Sequence, residues 1–435
     1  MSDDSRTTSA LTLRQMSRSR RSFPRLFVVA GAVFCVFSTS ILVGHAQSAQ
    51  PAAPIEPLTL QAAFDRAFAT NPTIAAARLR RAVDVAGITV AGERPNPDAH
   101  VEFARETPKQ SFGLGFPLEL GGKRSRRIAV AEATLQVGEA ELAQTIIDIR
   151  TQVRRAYYTR LISDLRLAVL DELRQFATRA RDAAQARFDV GSAPRLEVLQ
   201  GQLALAQAEN EATAAQATAN AATIQLNALL GFPLDMPLTL ATGLDATPAL
   251  TGAVALTRAQ ASNAELMVLD RQIAEQSAKL ALARALRTPD VTPDFTLTRD
   301  SQPDFMYGWR VAGSATIPIF TTHRAGVLLE EAALTQLNTQ RMAVLARITG
   351  EVMSASAAAD AQRIAYLRYQ SEILPLAQQV EVMAEDSYRL GQTGIAALLQ
   401  ALQASRDMRL RSLQTASDFQ DALGQLERAI GAPIP

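Results

Sequence analysis

The feature that most constrains this chain is a long internal repeat. Matching positions lie 192 residues apart near the start of the repeat and 200 or 201 residues apart further on. The pairs are Arg66 with Arg258, Asn71 with Asn263, Pro97 with Pro289, Pro117 with Pro318, Gly191 with Gly391 and Gln200 with Gln400, and the two copies close on Gly231 and Gly431. A period of this length is too long for a solenoid. It therefore predicts a duplicated domain whose halves form equivalent parts of one assembly.

The repeat also divides the chain. We place the first repeat at residues 58–235 and the second at residues 255–435, with a linker at 236–254 between them. Ahead of the first repeat, residues 1–46 are predicted to be a secretory signal peptide, and residues 47–57 a second linker. Two complete copies in one chain favour a protein built around internal symmetry.

The signal peptide is predicted from three successive features. A basic stretch precedes the apolar core Leu26–Phe37, and Gly44-His45-Ala46 supplies the small residues of a cleavage site. Translation starts at Met1 or at Met16, and the sequence does not choose between them. Cys35 is the only cysteine and lies inside this segment, so the mature chain has no thiol. The segment directs the protein out of the cytoplasm, and the alternative is a retained membrane anchor.

Each copy is predicted to contain helices of unusual length. The pattern runs from a helix through a short extended region to a very long helix, a glycine-containing turn and a final helix. The very long helices are predicted over residues 123–189 and 322–389. Apolar residues recur every seven positions along the first of them, as a coiled-coil seam requires, at Ile128, Leu135, Leu142 and Ile149. A helix of ~65 residues is ~100 Å long and needs an equally long partner to bury such a seam.

The extended regions, about 98–118 and 291–318, are predicted to form two pairs of membrane-spanning strands. Apolar residues alternate with polar or small ones, as in transmembrane β-strands. Aromatic residues are scarce in the whole chain, at 5%, but they cluster here. The predicted aromatic girdle at the membrane interface consists of Phe103, Phe112, Phe116, Tyr307 and Trp309. The alternative is two ordinary hairpins packed on a soluble core.

Four strands are too few to close a barrel. An open sheet edge in lipid leaves backbone groups without hydrogen-bond partners, and single-chain barrels begin at about eight strands. The chain is therefore expected to contribute its strands to a barrel shared with identical copies. Two, three or four copies would satisfy closure, and this argument does not choose among them.

The duplicated order of elements resembles that of the TolC family of outer-membrane efflux proteins, over residues 58–435. The resemblance implies a mainly α fold with a small β part: a trimeric α-barrel of long coiled-coil helices that continues into a shared transmembrane β-barrel, with four strands per protomer. It also implies a passive channel in the outer membrane of a Gram-negative-type cell, with a large periplasmic part. The implied partners are outer-membrane lipid, a periplasmic adaptor (a membrane fusion protein) and an inner-membrane pump, here of the RND type.

A sequence at the predicted membrane junction is more specific. Residues 119–127 are similar to the E-x-G-G-K-R-x-x-R signature of the CzcC-like heavy-metal branch of this family, which implies export of heavy-metal cations. The matching residues are Glu119, Gly121, Gly122, Lys123, Arg124 and Arg127. Two glycines permit a sharp corner. Basic residues at a helix N-terminus oppose the helix dipole, which indicates a lipid headgroup or a carboxylate partner. The alternative is a solvated junction.

Two further sets of residues are functional candidates. The turns between the long helices resemble the helical tips that contact the adaptor in this family, and they comprise Val190, Gly191, Ser192, Leu390, Gly391 and Gln392. Near the second tip, Glu381, Glu385 and Asp386 would form rings of carboxylates at the entrance of a trimeric tunnel if they faced inward. Such rings favour cations. An ordinary solvated helix face is the alternative for each of the three.

Other classes of protein are disfavoured. Removal of residues 1–46 leaves 38 basic and 41 acidic residues, so the mature chain offers no basic surface for nucleic acid. No catalytic motif, cofactor-binding loop or metal-ligand spacing is present, which predicts a protein that is not an enzyme and has no cofactor. Within the efflux interpretation, a channel for drugs or for type I secretion is the alternative. A periplasmic coiled-coil adaptor or structural protein is the alternative of another class.

Overall fold

The structure is a computed structural model that describes residues 57–241, 243, 251–299 and 306–434. The predicted signal peptide and all of the 47–57 linker except its last residue lie outside the described residues. None of the helices in the described part of the chain combines the length and the apolar character needed to cross a bilayer.

The described chain is mainly helical, with one sheet, and its two halves have the same order of elements. The first half contains α1 (Leu60–Thr70), α2 (Pro72–Ala91), β1 (Asp98–Phe103), β2 (Gln110–Gly115), α3 (Lys123–Asp189) and α4 (Arg195–Leu230). The second contains α5 (Gly252–Ser262), α6 (Ala264–Ala285), β3 (Val291–Arg299), β4 (Tyr307–Ala315), α7 (Arg324–Arg368), a π-turn (Tyr369–Ile373), α8 (Leu374–Arg389) and α9 (Ile395–Ile430). The predicted mainly α fold with a small β part of four strands is confirmed.

The two halves are closed by equivalent hydrogen bonds. Asn71 caps α2 by accepting from the amide of Ile74, and its side-chain amide donates to the carbonyl of Leu229 at the end of α4. Asn263 does the same in the second half, where it caps α6 and donates to the carbonyl of Ala429 at 2.8 Å. Both asparagines are buried, and their hydrogen bonds connect the start of one helix to the end of another. The recurrence of Asn at these positions therefore has a structural cause.

The long helices pack side by side and bury small and apolar residues. Helix α3, with 67 residues, is ~100 Å long and packs against α2, α4, α6 and α9. Each half has its own apolar core: Tyr157, Leu226 and Leu230 are fully buried in the first, and Ile348 and Ile430 in the second. The heptad residues Leu142 and Ile149 lie in the first core, so the predicted seam packs against the shorter helices of the same half.

The expected single helix over 322–389 is interrupted. Helix α7 ends at Arg368, a π-turn follows, and α8 begins at Leu374. Pro375 is the physical reason, because proline has no backbone N–H and its ring collides with the carbonyl four residues earlier. The equivalent stretch of α3 has no proline and continues without a break. The two halves therefore differ in the straightness of their longest helix.

The four strands form one antiparallel sheet in the order β1-β2-β3-β4. Strand β2 of the first half pairs with β3 of the second, with Phe112 opposite Leu297 and Leu114 opposite Phe295. The predicted strand pairs are thus joined into a single sheet. Strands β1 and β2 have six residues each and β3 and β4 have nine.

We predict that the glycines that end the two halves differ in tolerance from the glycines of the turns. Gly431 has φ +79°, and an added Cβ would lie 2.2 Å from the carbonyl oxygen of Ser262. Gly391 has φ +72° but open space around it. Gly391→Ala should therefore cost about 1–2 kcal/mol from the left-handed backbone alone, whereas Gly431→Ala should cost about 1–3 kcal/mol more from the collision.

The measurement is the melting temperature of the two purified variants in detergent, beside that of the wild-type protein. Equal melting temperatures for Gly391→Ala and Gly431→Ala would contradict the described packing of α9 against Ser262.

Candidate functional site

The outer face of the sheet is apolar and exposed. Register places Val101, Phe112, Leu297 and Trp309 in one row across the four strands. All five residues of the predicted aromatic girdle lie on this face, and their exposed fractions run from 45% for Phe116 to 73% for Phe103 and Trp309. A contiguous apolar face of this extent is unfavourable in water. It is suited to contact with lipid.

Both edges of the sheet are free within the described chain. Strand β1 pairs only with β2, and β4 pairs only with β3, so each edge presents a row of backbone groups to its surroundings. Every residue of β1 and β4 is exposed. Water can satisfy such groups, but hydrocarbon cannot. A sheet with this outer face and these edges is incomplete as a single chain.

The opposite face is polar and built from small residues on the middle strands. It carries Asp98, His100 and Glu102 on β1, and the inward positions of β2 are Ser111, Gly113 and Gly115. Thr296 on β3 is fully buried on this face, and Ser111 is nearly so, although no helix makes more than sparse contact with the strands. Ser111 donates to Glu102 at 3.3 Å and Thr296 donates to Asp294 at 2.6 Å, so acidic side chains of the same face lie over both hydroxyl groups.

The predicted junction motif forms a corner between sheet and helices. Gly121 and Gly122 both adopt the left-handed conformation, and an added Cβ at Gly121 would lie 2.6 Å from the Thr288 hydroxyl. The corner turns the chain from β2 into α3 and brings it against the segment ahead of β3. Its counterpart in the second half is His323, which adopts the left-handed conformation without being glycine.

The basic residues of the motif are held by acceptors of the protein itself. Lys123 is nearly buried, and its Nζ lies 2.6 Å from Oδ2 of Asp290. Arg127 pairs with Glu119 and donates to the carbonyl of Glu93 at 3.0 Å. Of the two expected partners, lipid headgroup or carboxylate, these two side chains use the carboxylate.

The remaining arginine of the motif, Arg124, binds the end of another helix. Its Nε donates to the carbonyl of Gly92 at 2.6 Å. Since Gly92 ends α2, Arg124 stabilises free carbonyl groups at the negative end of that helix dipole. The motif thus joins the end of α2, the start of α3 and the start of β3 in one network.

The charges of this network shift two pKa values. Hydrogen bonding to Glu119 raises the pKa of Arg127 above its ordinary value, against the opposing effect of burial. Burial alone would raise the pKa of Asp290, but its hydrogen bonds with Lys123 and the amide of Leu120 outweigh burial, and the pKa is lowered below 3.8. Asp290 therefore stays ionised under all physiological conditions.

The two tips have the same backbone geometry. Gly191 and Gly391 are left-handed, and the amides of Ser192 and Gln392 donate back to the carbonyls of Arg187 and Ser387. This is the hydrogen-bond pattern that commonly ends helices at glycine. Val190 and Leu390 beside them are 78% and 68% exposed. The tips therefore present apolar side chains to the surroundings.

A contact between the two hairpins near the tips was missed by the sequence analysis. Tyr388 is buried against α3 and α9, its hydroxyl donates to Glu197 of α4 at 3.4 Å, and the guanidinium of Arg187 lies over its ring. Burial, and next the charge of Glu197, raises the pKa of Tyr388. Part of this contact was visible in the repeat, in which Phe188 and Tyr388 occupy equivalent positions 200 residues apart. Nothing in the repeat indicated that Glu197 would be a partner.

The three candidate entrance carboxylates have different surroundings. Glu381 accepts from Ser405 at 2.6 Å and pairs with Arg409 at 2.9 Å, so its charge is compensated within the protomer. Asp386 is exposed and pairs with Arg389 at 2.7 Å. Glu385 is exposed. Of the three, Glu385 retains the features that an entrance ring would need.

Known proteins that resemble this chain indicate its class of protein. Residues 63–232 match the family described as Outer membrane efflux protein. The chain is 26% identical over 418 residues to the cobalt-zinc-cadmium resistance protein CzcC of Cupriavidus metallidurans, and the match covers 94% of this chain and 99% of that protein. It is 24% identical over 229 residues to the nickel-cobalt-cadmium resistance protein NccC of Alcaligenes xylosoxydans xylosoxydans, over 50% of this chain and 49% of that protein.

The fold comparison agrees. A crystal structure of CusC, described in connection with folding and transmembrane channel formation, superposes with a TM-score of 0.72 at 16% identity, over 88% of this chain and 96% of that one. Residues 63–232 therefore contain the domain of the outer-membrane efflux proteins, and the chain has the fold of TolC-like outer-membrane channels, as the sequence analysis predicted.

We predict that the Asp290–Lys123 ion pair stabilises the protein in a pH-dependent way. A carboxyl group whose folded pKa is depressed contributes its stability above its ordinary pKa, and the contribution is lost as the pH falls through the depressed value. Asp290→Asn should therefore lower stability at pH 6, by about 0.5–1 kcal/mol for this part-exposed pair. The difference from wild type should shrink once the pH falls below about 4, since the ordinary pKa is near 3.8.

The measurement is the melting temperature of both proteins in detergent between pH 6 and pH 2.5. Lys123→Met serves as the matched control, because Asp290→Asn should have a much smaller effect in that background. A wild-type advantage that grows as the pH falls would be the opposite of the expected sign.

Proposed function

We propose that this chain assembles with two identical copies into an outer-membrane channel, which conducts substrate passively from the periplasm to the exterior in a tripartite efflux system. The proposal rests above all on one observation: a sheet with an exposed apolar face and with two edges that are unpaired within the described residues, continuous with helix α3 of ~100 Å. Such a sheet becomes stable in lipid when β4 of one protomer pairs with β1 of the next.

The match of residues 63–232 to the efflux family supports the proposed assembly. Three protomers would supply twelve strands, four from each chain, which exceeds the smallest closed barrels. The long helices of three chains would continue the barrel into the periplasm. The halves at 58–235 and 255–435 would then act as six similar units around one axis, which explains why a duplicated sequence suits this architecture.

The tips are the proposed contacts for a periplasmic adaptor, with an RND-type pump as the energy-coupled component. The exposed side chains of Val190 and Leu390 beside rigid left-handed glycines support this assignment. In this arrangement the chain itself performs no catalysis.

Heavy-metal cations are the proposed cargo. CzcC is a cobalt-zinc-cadmium resistance protein, and the match to it extends over nearly the whole of both chains. The junction motif of residues 119–127 supports the same branch, since its basic residues form an ordered corner here. The alternative cargo is a drug or a secreted protein. The following experiment distinguishes export of metal cations from export of drugs.

We predict that deletion of the gene lowers tolerance to zinc, cobalt or cadmium salts more than tolerance to antibiotics. Wild-type protein should restore it. Val190→Asp combined with Leu390→Asp should fail to restore it, because charged tips disfavour an apolar contact with the adaptor. The matched control is Val190→Ile with Leu390→Met, which preserves apolar tips and should restore tolerance.

The double Asp variant should still form trimers and conduct ions in planar bilayers, since the tips lie at the far end of α3 and α8 from the sheet. Loss of antibiotic tolerance alone would reassign the cargo to drugs. Full metal tolerance with charged tips would contradict the docking proposal.

A further inference from the structure

The polar face of the sheet holds a histidine and an aspartate together across a glycine. His100 lies on β1 and Asp294 on β3, so β2 separates their backbones. Neighbouring strands lie about 4.8 Å apart, which puts these two backbones about 10 Å from each other. The side chains nevertheless meet, with Nδ1 of His100 3.5 Å from Oδ2 of Asp294. The meeting requires that the middle strand have no bulky side chain between them.

Glycine on β2 provides the space. Gly113 is the register partner of His100, and a Cβ added there would lie 2.1 Å from both Cε1 and Nε2 of the imidazole. The ring therefore lies directly against the backbone of β2. At the next inward position, a Cβ added to Gly115 would lie 3.7 Å from Oδ2 of Asp294. The imidazole of His100 thus occupies space that any larger residue at position 113 would fill, whereas a Cβ at position 115 would make ordinary van der Waals contact with Asp294.

The carboxylate is also oriented. The hydroxyl of Thr296, which is fully buried, donates to Oδ1 of Asp294 at 2.6 Å. This bond leaves Oδ2 directed to the imidazole. The side chain of His100 is 46% exposed and that of Asp294 21% exposed, so an incoming ion can reach them. An oriented carboxylate beside an accessible imidazole is the arrangement found around protein-bound metal ions.

The chemistry of the pair selects a class of ion. Imidazole and carboxylate together suit zinc, cobalt and nickel, whereas magnesium prefers oxygen ligands alone. Within the described residues, no three His, Cys, Asp or Glu side chains converge as a tight metal site would require. Two protein ligands with water in the remaining positions would bind weakly. Weak binding is what a conducting pore needs, because an ion has to leave as readily as it enters.

We propose, on the basis of the channel function above, that His100 and Asp294 form a transient contact for hydrated divalent transition-metal cations on the interior face of the barrel. A trimer would carry a ring of three such contacts. Asp98 and Glu102 on the same face of β1 add negative charge beside the ring. Arg310 on β4 opposes cation binding: it lies three strands from His100, about 14 Å away, but it is the register partner of Thr296 and so lies only one strand from Asp294. In the proposed trimer, β4 of the neighbouring protomer would also lie beside β1.

The test is the potassium current through the purified wild-type trimer in a planar bilayer, recorded with increasing ZnCl₂ or MgCl₂. Zinc should interrupt the current at concentrations at which magnesium does not. His100→Ala and His100→Gln should each raise the half-blocking zinc concentration about tenfold or more, and Asp294→Asn about tenfold, by analogy with losses around metal ligands. His323→Ala is the matched control and should leave zinc block unchanged, because His323 lies at the start of α7 rather than on the sheet.

The outcomes separate the two proposals. A wild-type protein that carries no current would refute the channel function and this inference with it. A conducting wild-type protein that zinc and magnesium block equally would refute the inference alone, as would unchanged zinc block in both His100 variants. The current without zinc reports assembly of each variant, and the two His100 substitutions guard against the failure of one of them to fold.

Discussion

The whole architecture depends on the need of backbone N–H and C=O groups for hydrogen-bond partners in hydrocarbon. Each unpaired group costs several kcal/mol there. This chain has a four-stranded sheet with an apolar outer face, and neither edge strand has a second partner within the described residues. A single chain in lipid would bear this cost along both edges of its sheet. The proposed trimer avoids this cost, because each edge strand would pair with an edge strand of an identical copy.

The corner between sheet and helices connects the sheet to the rest of the molecule. Residues of the junction motif connect the end of α2, the start of α3 and the segment ahead of β3 through Lys123, Arg127 and their acceptors. A helix of ~100 Å such as α3 magnifies any angular error at its base, so an ordered corner is needed to keep its far end aligned. At those far ends, the contact of Tyr388 with Glu197 and Arg187 joins the two hairpins of a protomer.

Much of the fold was predictable because its signals are local or repeated. The heptad spacing from Ile128 to Ile149 and the alternation in Phe112, Leu114 and Phe116 follow directly from helical and strand periodicity. The recurrence of Asn71 as Asn263 has its explanation in matching helix caps. The family resemblance then supplied the arrangement of elements, which periodicity alone does not contain.

What could not be predicted depends on contacts between residues far apart in the sequence. The partners of Lys123 and His100 are Asp290 and Asp294, 167 and 194 residues away. Strand register brings His100 to Asp294, and the glycine corner ahead of α3 brings Lys123 to Asp290. Pro375, which causes the π-turn, was visible in the sequence, but the strong helical pattern around it favoured the prediction of an unbroken helix. Gly113 and Gly115 were visible as small residues in a strand, which indicates close approach without naming what approaches.

The proposed channel depends on pairing of β4 of one protomer with β1 of the next, and cross-linking can test this contact. Because the mature chain is predicted to contain no cysteine, Val101→Cys can be combined in turn with Trp309→Cys, Val311→Cys or Gly313→Cys, and the protein can be oxidised in membranes and separated by mass under denaturing conditions. We expect covalent dimers and trimers for at least one pair, and none for Val101→Cys with Phe112→Cys, which are register partners within one protomer. Monomers alone for all three edge pairs, in membranes that contain the protein, would contradict it.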